Sequence, residues 1–206
     1  MKVLGRGWQY TAYDLGNGRV LKKYNSKLVG YAIIFRDALW WGWPPVYEVP
    51  ERYRVCKGLA AASLDAVSKG ILEPWMMANP SIKGELSYEQ DKVTPLGLYL
   101  RKSSDSEICK VIDNFIALNK HMIERGVIDK SFKIGANFGL DTQGRVVLMD
   151  LGELYLDPEA IAQRRRDKPW ADRWERHMFP NDKTYTYYVE QMDKYIGLGI
   201  PVPEEM

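Results

Sequence analysis

Cysteine is scarce in this chain, as are histidine and long apolar runs. The 206 residues include only Cys56 and Cys109, which form no CxxC pair, so the sequence predicts neither a disulfide framework nor a zinc site. Met1 to Trp8 has no apolar signal core, and no stretch approaches the roughly 18 uncharged apolar residues of a membrane span. We therefore expect a protein of the reducing cytoplasm with no membrane partner.

An excess of charge of one sign is also lacking. The net charge is only +2 at pH 7, so the overall balance does not require nucleic acid as a partner. Arginines cluster between Pro158 and His177, which would suit a nucleic-acid-binding module, but acidic residues are interleaved with them. A solvated helix face is therefore the better interpretation, and only strong salt-dependent binding would favour nucleic acid.

Apolar and aromatic residues are plentiful, at 46% and 12% of the chain, which is a globular composition for one core or for two small lobes. The apolar stretch from Leu28 to Trp43 is interrupted by Arg36 and Asp37, and it predicts a helix packed on protein. The tryptophans of Trp40 to Pro45 could form a stacking site. Packing in the core or between lobes is the interpretation we favour for them.

Hydrophobic periodicity predicts both helices and strands. Apolar residues recur every three or four positions from Ser106 to Glu124, as in an amphipathic helix. Further helices are expected in three ranges, Pro50 to Gly70, Pro158 to His177 and Asp182 to Ile196. Strands are expected around the turn at Gly16-Asn17-Gly18, at Ile71 to Met77 and at Leu86 to Val93. The mixture predicts an α+β fold.

An amide and a carboxylate flank a predicted hairpin in the second half of the chain. Asn137 lies in a glycine-containing segment, and Asp150 follows an apolar strand. The turn residues Asp141 to Gly144 let Phe138 to Leu140 fold back against Arg145 to Met149, so the two polar side chains can converge. Hard oxygen ligands of these types suit Mg²⁺, which keeps several waters and bridges phosphates.

The chain begins with two glycines, Gly5 and Gly7, ahead of an alternating strand, and the next strand carries Lys22. Glycines let backbone amides approach phosphates, and a lysine on such a strand can reach the α and β phosphates of a nucleotide. A solvated charge at the end of the strand is the alternative interpretation of Lys22 or Lys23.

The order of these features resembles the active site of the protein kinase superfamily, in which a glycine-rich loop, a strand lysine, an asparagine and an Asp-Phe-Gly triplet follow one another. Here the triplet is Asp150-Leu151-Gly152, 13 residues after Asn137 as in that superfamily, although Tyr10 replaces the third glycine. The plan is similar to the small kinase-like proteins of the bacterial PhoP regulatory network. The specific matches are Gly5, Gly7, Lys22, Lys133, Asn137, Asp150 and Gly152.

The resemblance implies a small two-lobe α+β fold. Residues 1–93 would form an antiparallel-sheet N-lobe and residues 94–206 a reduced helical C-lobe. The cofactors it implies are ATP and Mg²⁺, with Gly5, Gly7 and Lys22 on the phosphates and Asn137 and Asp150 on the metal.

In a kinase, the helix of the N-lobe carries a glutamate that pairs with the strand lysine. Glu51 is the acid we choose for this role, with Glu48 as the second choice. A favourable interaction with the helix dipole explains a glutamate in the first turn equally well. The stretch from Glu89 to Asp91 falls at the expected hinge, where backbone groups would meet the adenine.

The catalytic loop departs from the kinase pattern, because Phe132 stands five residues before Asn137, where a kinase has its catalytic aspartate. Asp129, eight residues before Asn137, could act as the base if the loop were bulged by three residues. Alternatively, Ser131-Phe132-Lys133 aligns with the Asp-Leu-Lys of ordinary kinases and places a serine where the base would be. The candidate catalytic residues are thus Asp129, Ser131 and Lys133.

Two functions follow from the resemblance. The first is an atypical phosphotransferase that acts on a hydroxyl of a protein or a small molecule. The second is a pseudokinase that binds nucleotide as a structural ligand in a regulatory role. Loss of the base need not end transfer, because positioning and charge stabilisation carry most of phosphoryl-transfer catalysis. His121, a lone histidine on a predicted helix, is interpreted as a packing or surface residue.

Overall fold

The structure is a computed structural model that describes residues 1–42 and 44–198, without the side chains of Arg173 and Trp174. The chain divides into two units. The first comprises Met1–Val93 together with Leu148–Leu154. The second comprises Thr94–Val147 and the described residues from Tyr155 onward. The fold is α+β, with an antiparallel sheet in the first unit and mainly helices in the second.

The first unit contains a five-stranded antiparallel sheet with the strand order β1-β2-β3-β5-β4. Its strands are β1 (Lys2–Arg6), β2 (Tyr10–Asp14), β3 (Arg19–Tyr24), β4 (Ser81–Gly84) and β5 (Ser87–Asp91). Asp14 and Asn17 shape the turn between β2 and β3, since their side-chain oxygens accept hydrogen bonds from backbone amides two residues further on. Gly16 and Gly18 supply the positive φ angles of that turn.

Two long helices accompany this sheet, α1 (Lys27–Trp41) and α2 (Val49–Ser68). Ser26 caps the start of α1, and Pro50 lies in the first turn of α2, where its missing amide hydrogen costs nothing. One face of α1 is buried through Gly30, Ile34 and Ala38. The predicted helix from residue 28 and the predicted helix from Pro50 are both confirmed.

The tryptophans at the end of α1 are exposed, and the expectation of core packing was wrong for them. Trp40 and Trp41 are 79% and 67% exposed, and Leu28, Phe35 and Leu39 are exposed with them. Residue 43 lies outside the described part of the chain. Periodicity cannot distinguish the two faces of this helix, because apolar residues occupy both.

The predicted strand at Ile71–Met77 was also wrong. Pro74–Met77 forms a 3-10 helix instead, followed by Ala78 and Asn79 at positive φ. Proline cannot donate to a strand ladder and its fixed φ suits the first position of a helical turn, so Pro74 decides the conformation. The neighbouring apolar side chains Met76 and Met77 are buried all the same.

The second unit is built around α4 (Asp105–Glu124), which begins at a capping box formed by Ser104 and Glu107. Its other helices are α3 (Leu96–Leu100), α5 (Ile134–Asn137), α6 (Pro158–Asp167), α7 (Arg173–Arg176) and α8 (Asp182–Tyr195). Its short strands are β6 (Thr94–Pro95), β7 (Ile128–Asp129) and β8 (Phe138–Leu140), and the boundaries between the units fall within β9 (Val146–Leu148) and β10 (Leu154–Tyr155). The predicted hairpin is confirmed as β8 and β9, which pair in a sheet with β6.

None of the helices in the described ranges is both long enough and apolar enough to cross a lipid bilayer.

Candidate functional site

The residues predicted to form the site are divided between the two units. Gly5, Gly7, Lys22, Glu51 and Asp150 belong to the first unit. Asp129, Ser131, Lys133 and Asn137 belong to the second. Each unit therefore carries one group of these residues.

One face of the sheet in the first unit carries Lys22. The register pairs Tyr10 with Tyr24, Ala12 with Lys22 and Lys22 with Tyr88. Directly paired residues point to the same face of a sheet, so Tyr10, Lys22, Tyr88 and Gln90 share one side. Tyr10, Tyr88 and Gln90 are buried on it, whereas Lys23 points to the opposite side and is exposed.

The backbone of residues 149–152 is held by side chains of the first unit. Gln90 Nε2 donates to the carbonyl of Met149 at 2.9 Å, and the Leu151 amide donates to the Tyr88 hydroxyl at 3.1 Å. Gln9 Nε2 donates to the carbonyl of Gly152 at 2.8 Å. These backbone groups form no hydrogen bonds of a strand ladder, and side chains supply their hydrogen-bond partners instead. Asp150 therefore projects from a fixed main chain.

Lys22 and Asp150 form an ion pair within this arrangement. Lys22 Nζ lies 3.7 Å from Asp150 Oδ1, and the two side chains are 13% and 36% exposed. Asp150 Oδ1 is buried and accepts no hydrogen bond from any described residue. The hydroxyl of Tyr10 is also buried and has no hydrogen-bond partner among the described residues. Burial raises the pKa of Tyr10, and the negative charge of Asp150 raises it further. Unsatisfied buried polar atoms are rare, so this site has unused capacity for a polar ligand.

Glu51 is not brought to Lys22. It is exposed and forms a double hydrogen bond with the guanidinium of Arg54, at 2.6 and 2.8 Å. Glu48 pairs with Arg52 at 3.4 Å. The residues that α2 buries, all within the described chain, are Val49, Cys56, Ala60, Ser63, Leu64 and Ala66, none of them acidic. The ion pair that Lys22 makes in this structure is with Asp150.

The turn between β1 and β2 contains Gly7 and follows Gly5. The Gly7 amide donates to the carbonyl of Tyr10 at 2.8 Å, and Asn25 Nδ2 donates to the carbonyl of Gly7 at 2.7 Å. A Cβ added at Gly5 would have no neighbour within 4 Å, and one at Gly7 would come no closer than 3.9 Å to another atom. Packing within the protein therefore does not require glycine at either position, and the space beside both is open.

Asp129, Ser131 and Asn137 form the second group. Asn137 Nδ2 donates to both carboxylate oxygens of Asp129, at 2.9 and 3.1 Å, and the Ser131 hydroxyl donates to Asp129 at 3.1 Å. Asp129 is fully buried, at 0% exposure. The carboxylate thus fixes the amide nitrogen of Asn137 and leaves the carbonyl oxygen of that side chain as the atom that could face a cation.

The loop from Asp129 to Asn137 is held from outside by the C-terminal helices. Arg164 Nε donates to the carbonyl of Lys130 at 2.8 Å, and the Tyr188 hydroxyl donates to the carbonyl of Phe132 at 3.3 Å. Phe132 has a φ of 50°, which is an unfavourable conformation for a bulky residue. The two hydrogen bonds to the loop hold the backbone in this conformation. Lys133 follows and is exposed.

Glu175 is a further acid near this loop, and the prediction that its region is a solvated helix face was wrong for this residue. It is only 5% exposed, and its Oε2 has no hydrogen-bond partner among the described residues. Burial raises the pKa of Glu175 to about 7. The positive charge of Lys133 lowers this pKa, and the negative charge of Asp129 raises it. A partly protonated carboxyl group therefore lies beside the loop at neutral pH.

The oxygen atoms of Asp150 and Asn137 suit a magnesium ion that also binds phosphate better than they suit a metal bound by protein side chains alone. No three His, Cys, Asp or Glu side chains converge anywhere in the described ranges. Mg²⁺ is commonly bound by one or two carboxylates plus substrate phosphates, and Asp150 has a buried oxygen to offer. Joint coordination by Asn137 and Asp150 stays a prediction, because they belong to different units.

Several residues of the site gave no signal in the sequence. Gln9, Tyr88 and Gln90 hold the Asp150 segment through contacts between residues at least 59 positions apart, which no local pattern reveals. A partial signal existed at Tyr10, which stands where a third glycine was expected. Glu175 could be found only from its burial.

Solved structures share this fold. The protein Rv3197 of Mycobacterium tuberculosis, solved in complex with erythromycin, matches with a TM-score of 0.51 at 16% sequence identity. The match covers 94% of this chain and 53% of that one, so the chain spans about half the length of this neighbour. At such identity the likeness shows the fold alone. No family model and no curated protein sequence matches the chain.

Proposed function

We propose that this chain is a protein-kinase-like protein that binds ATP together with Mg²⁺. The observation that carries the proposal is the pairing of Lys22 with Asp150 on a buried sheet face, where one carboxylate oxygen has no hydrogen-bond donor. A cation on that oxygen and an anion on Lys22 would complete both groups. A nucleotide phosphate with its metal supplies both charges at once.

The roles of the remaining residues follow from their surroundings. Gly5 and Gly7 leave open space above the turn, so phosphate oxygens can approach the backbone there. Asn137, fixed by Asp129, would offer its carbonyl oxygen to the metal. The metal, when bound, supplies positive charge that neutralises the phosphate oxygens.

Asp129 bears on the choice between phosphotransferase and pseudokinase. A general base must reach the acceptor hydroxyl within about 2.6–3.2 Å, whereas this carboxylate is buried and occupied by Asn137 and Ser131. We infer that Asp129 positions Asn137 and does not act as a base. The burial of this carboxylate is the observation that supports a second candidate function, a pseudokinase. An atypical phosphotransferase remains compatible with the site, because positioning and charge stabilisation can carry transfer without a base.

Thermal unfolding followed by circular dichroism tests nucleotide binding. ATP at about 100 times its dissociation constant should stabilise the fold by roughly 2.7 kcal/mol, which raises the Tm by about 5–10 °C for a chain of this size. We expect this shift with ATP and Mg²⁺ together and a much smaller shift with ATP alone. No shift with any nucleotide and metal would remove the proposal.

Two variants locate the site. Asp150→Ala should abolish the metal-dependent part of the shift, because it removes the unsatisfied carboxylate oxygen. His121→Ala should leave the shift intact, since that side chain contacts Arg125 and Glu124 on the same helix surface. If both folded variants behave alike, the site is misplaced.

A ligand and acceptor screen completes the test. Transfer of the γ-phosphate to the chain itself, to protein or to small-molecule hydroxyls would establish the phosphotransferase, and binding without transfer would establish the pseudokinase. Erythromycin is a useful comparison ligand because Rv3197 was solved with it. A Tm shift with erythromycin and none with nucleotides would overturn the nucleotide proposal.

A further inference from the structure

Gln9 connects three parts of the first unit. It follows the glycine turn directly, and its Nε2 donates to the carbonyl of Gly152 at 2.8 Å and to that of Cys56, on α2, at 3.1 Å. Its own carbonyl accepts a hydrogen bond from the Asn25 amide at 2.7 Å. The side chain is buried, so these bonds form where water does not compete for the same groups.

Gly152 fits closely against this side chain. A Cβ at Gly152 would lie 1.8 Å from Gln9 Oε1 and 2.8 Å from Gln9 Cδ. The φ of Gly152 is not positive, so the backbone itself would accept an alanine. Glycine is needed here because the amide of Gln9 fills the volume that a methyl group would occupy.

The same segment meets α2 at a second point, since the Leu154 amide donates to the Ser63 hydroxyl at 2.9 Å. In a kinase a glutamate on the corresponding helix would reach the lysine, but the buried face of α2 offers no acid. Gln9 donates hydrogen bonds to both α2 and the Asp150 segment, and the Ser63 hydroxyl on α2 accepts one from that segment, so uncharged groups link the two.

We propose that Gln9 is a positioning residue that fixes the segment bearing Asp150 against α2 and couples it to the glycine turn. Gln9 is two residues from Gly7 in the chain and holds Gly152, two residues beyond Asp150. Movement of the turn when it covers a phosphate is thereby transmitted to the carboxylate. This second part of the inference rests on the proposed function, whereas the positioning of the segment does not.

A double-mutant cycle on thermal stability tests the positioning. Gly152→Ala should displace the Gln9 amide and lower the Tm by roughly 4–8 °C, because two buried carbonyls lose their donor. Gln9→Ala should have a similar effect. The double variant should lose clearly less than the sum, since the methyl group then enters vacated space. Additive losses would overturn the inference.

Hydrogen exchange gives an independent readout that needs no nucleotide. In Gln9→Ala the amides of Leu151 to Leu154 should exchange at least about tenfold faster than in the wild type, while those of α4 keep their rates. Gln163→Ala, a change of an exposed glutamine on α6, is the matched control and should alter neither. Should Gly152→Ala fail to fold, these exchange rates decide, and unchanged rates at Leu151 to Leu154 would refute the positioning.

Nucleotide titration then separates the two proposals. Gln9→Ala should raise the dissociation constant of Mg·ATP by about tenfold and that of metal-free ATP by much less, because the orientation of Asp150 matters only with the metal. Equal losses with and without metal would overturn the coupling. If the wild type binds no nucleotide, the proposed function fails and the coupling fails with it, while the exchange rates and the cycle still decide the positioning.

Discussion

The buried carboxyl group of Glu175 makes the stability of the second unit depend on pH in a defined direction. Its pKa rises from the usual 4.5 to about 7 in the folded chain because burial disfavours the charged form. A folded-state pKa above the unfolded one means that the folded state holds the proton more tightly. The stabilisation is therefore complete below about pH 4.5 and is lost as the pH rises through about 7.

The folded and unfolded pKa values of Glu175 differ by roughly 2.5, and a difference of one corresponds to about 1.36 kcal/mol of folding free energy. Ionising Glu175 above pH 7 should cost about 3 kcal/mol of folding free energy. Glu175→Gln keeps the shape of the protonated carboxyl group and never ionises. At pH 8 this variant should exceed the wild type by up to about 3 kcal/mol, and near pH 4.5 the two should agree.

Urea unfolding at half-unit steps from pH 4.5 to 8.5, followed by circular dichroism, measures this difference. Taking the difference between variant and wild type cancels the titration of the other groups. Glu190→Gln changes an exposed glutamate on α8 and serves as the matched control, with no pH-dependent gain expected. If the gain from Glu175→Gln does not grow between pH 5 and pH 8, Glu175 is not the titrating group and its burial is misjudged.

Two further predictions concern the second unit and the proposed chemistry. Gly97→Ala should destabilise the fold by about 1–3 kcal/mol in urea unfolding, because the new Cβ would lie 2.8 Å from the backbone carbonyl oxygen of Gly135. Gly58→Ala, at an open helical position, should gain about 0.5–1 kcal/mol, and equal effects would contradict the assigned packing. If phosphate transfer is found, Asp129→Asn should alter the rate less than the 10²- to 10⁴-fold loss typical of a general base. A loss of that size with ATP binding unchanged would restore Asp129 as the base.

The helices were predictable where periodicity and end signals agree. The apolar stripe from Ser106 to Glu124 predicts α4 almost to the residue, and the helix predicted from Asp182 begins where α8 begins. The strand proposed at Ile71–Met77 failed because the local backbone preference of Pro74 outweighed an apolar run. Short apolar runs do not distinguish strand from turn, since both bury such residues.

The candidate site was predictable only where spacing along the chain carries information. Lys22 and Asp150 were identified from the order of glycine turn, lysine and strand-end carboxylate, and the structure joins them. The hydrogen bond from Gln9 to Gly152 spans 143 positions, and its formation depends on tertiary packing that no single-sequence pattern encodes. Glu51 is the opposite case. Its position in the first turn of α2 suited both a partner for Lys22 and a residue favoured by the helix dipole, and the structure places it on the surface with Arg54.

The exposed apolar side chains of α1 have a consequence for the optical properties of the folded chain. Trp40 and Trp41 emit from water in the native state, whereas Trp170 is completely enclosed. Unfolding therefore changes the surroundings of Trp170 far more than those of the two exposed indoles, which contribute an emission that is already red-shifted. Leu28, Phe35 and Leu39, which are also exposed on α1, offer a native surface on which environment-sensitive dyes can bind before any unfolding occurs. A bright dye signal from this protein is thus a property of its folded state.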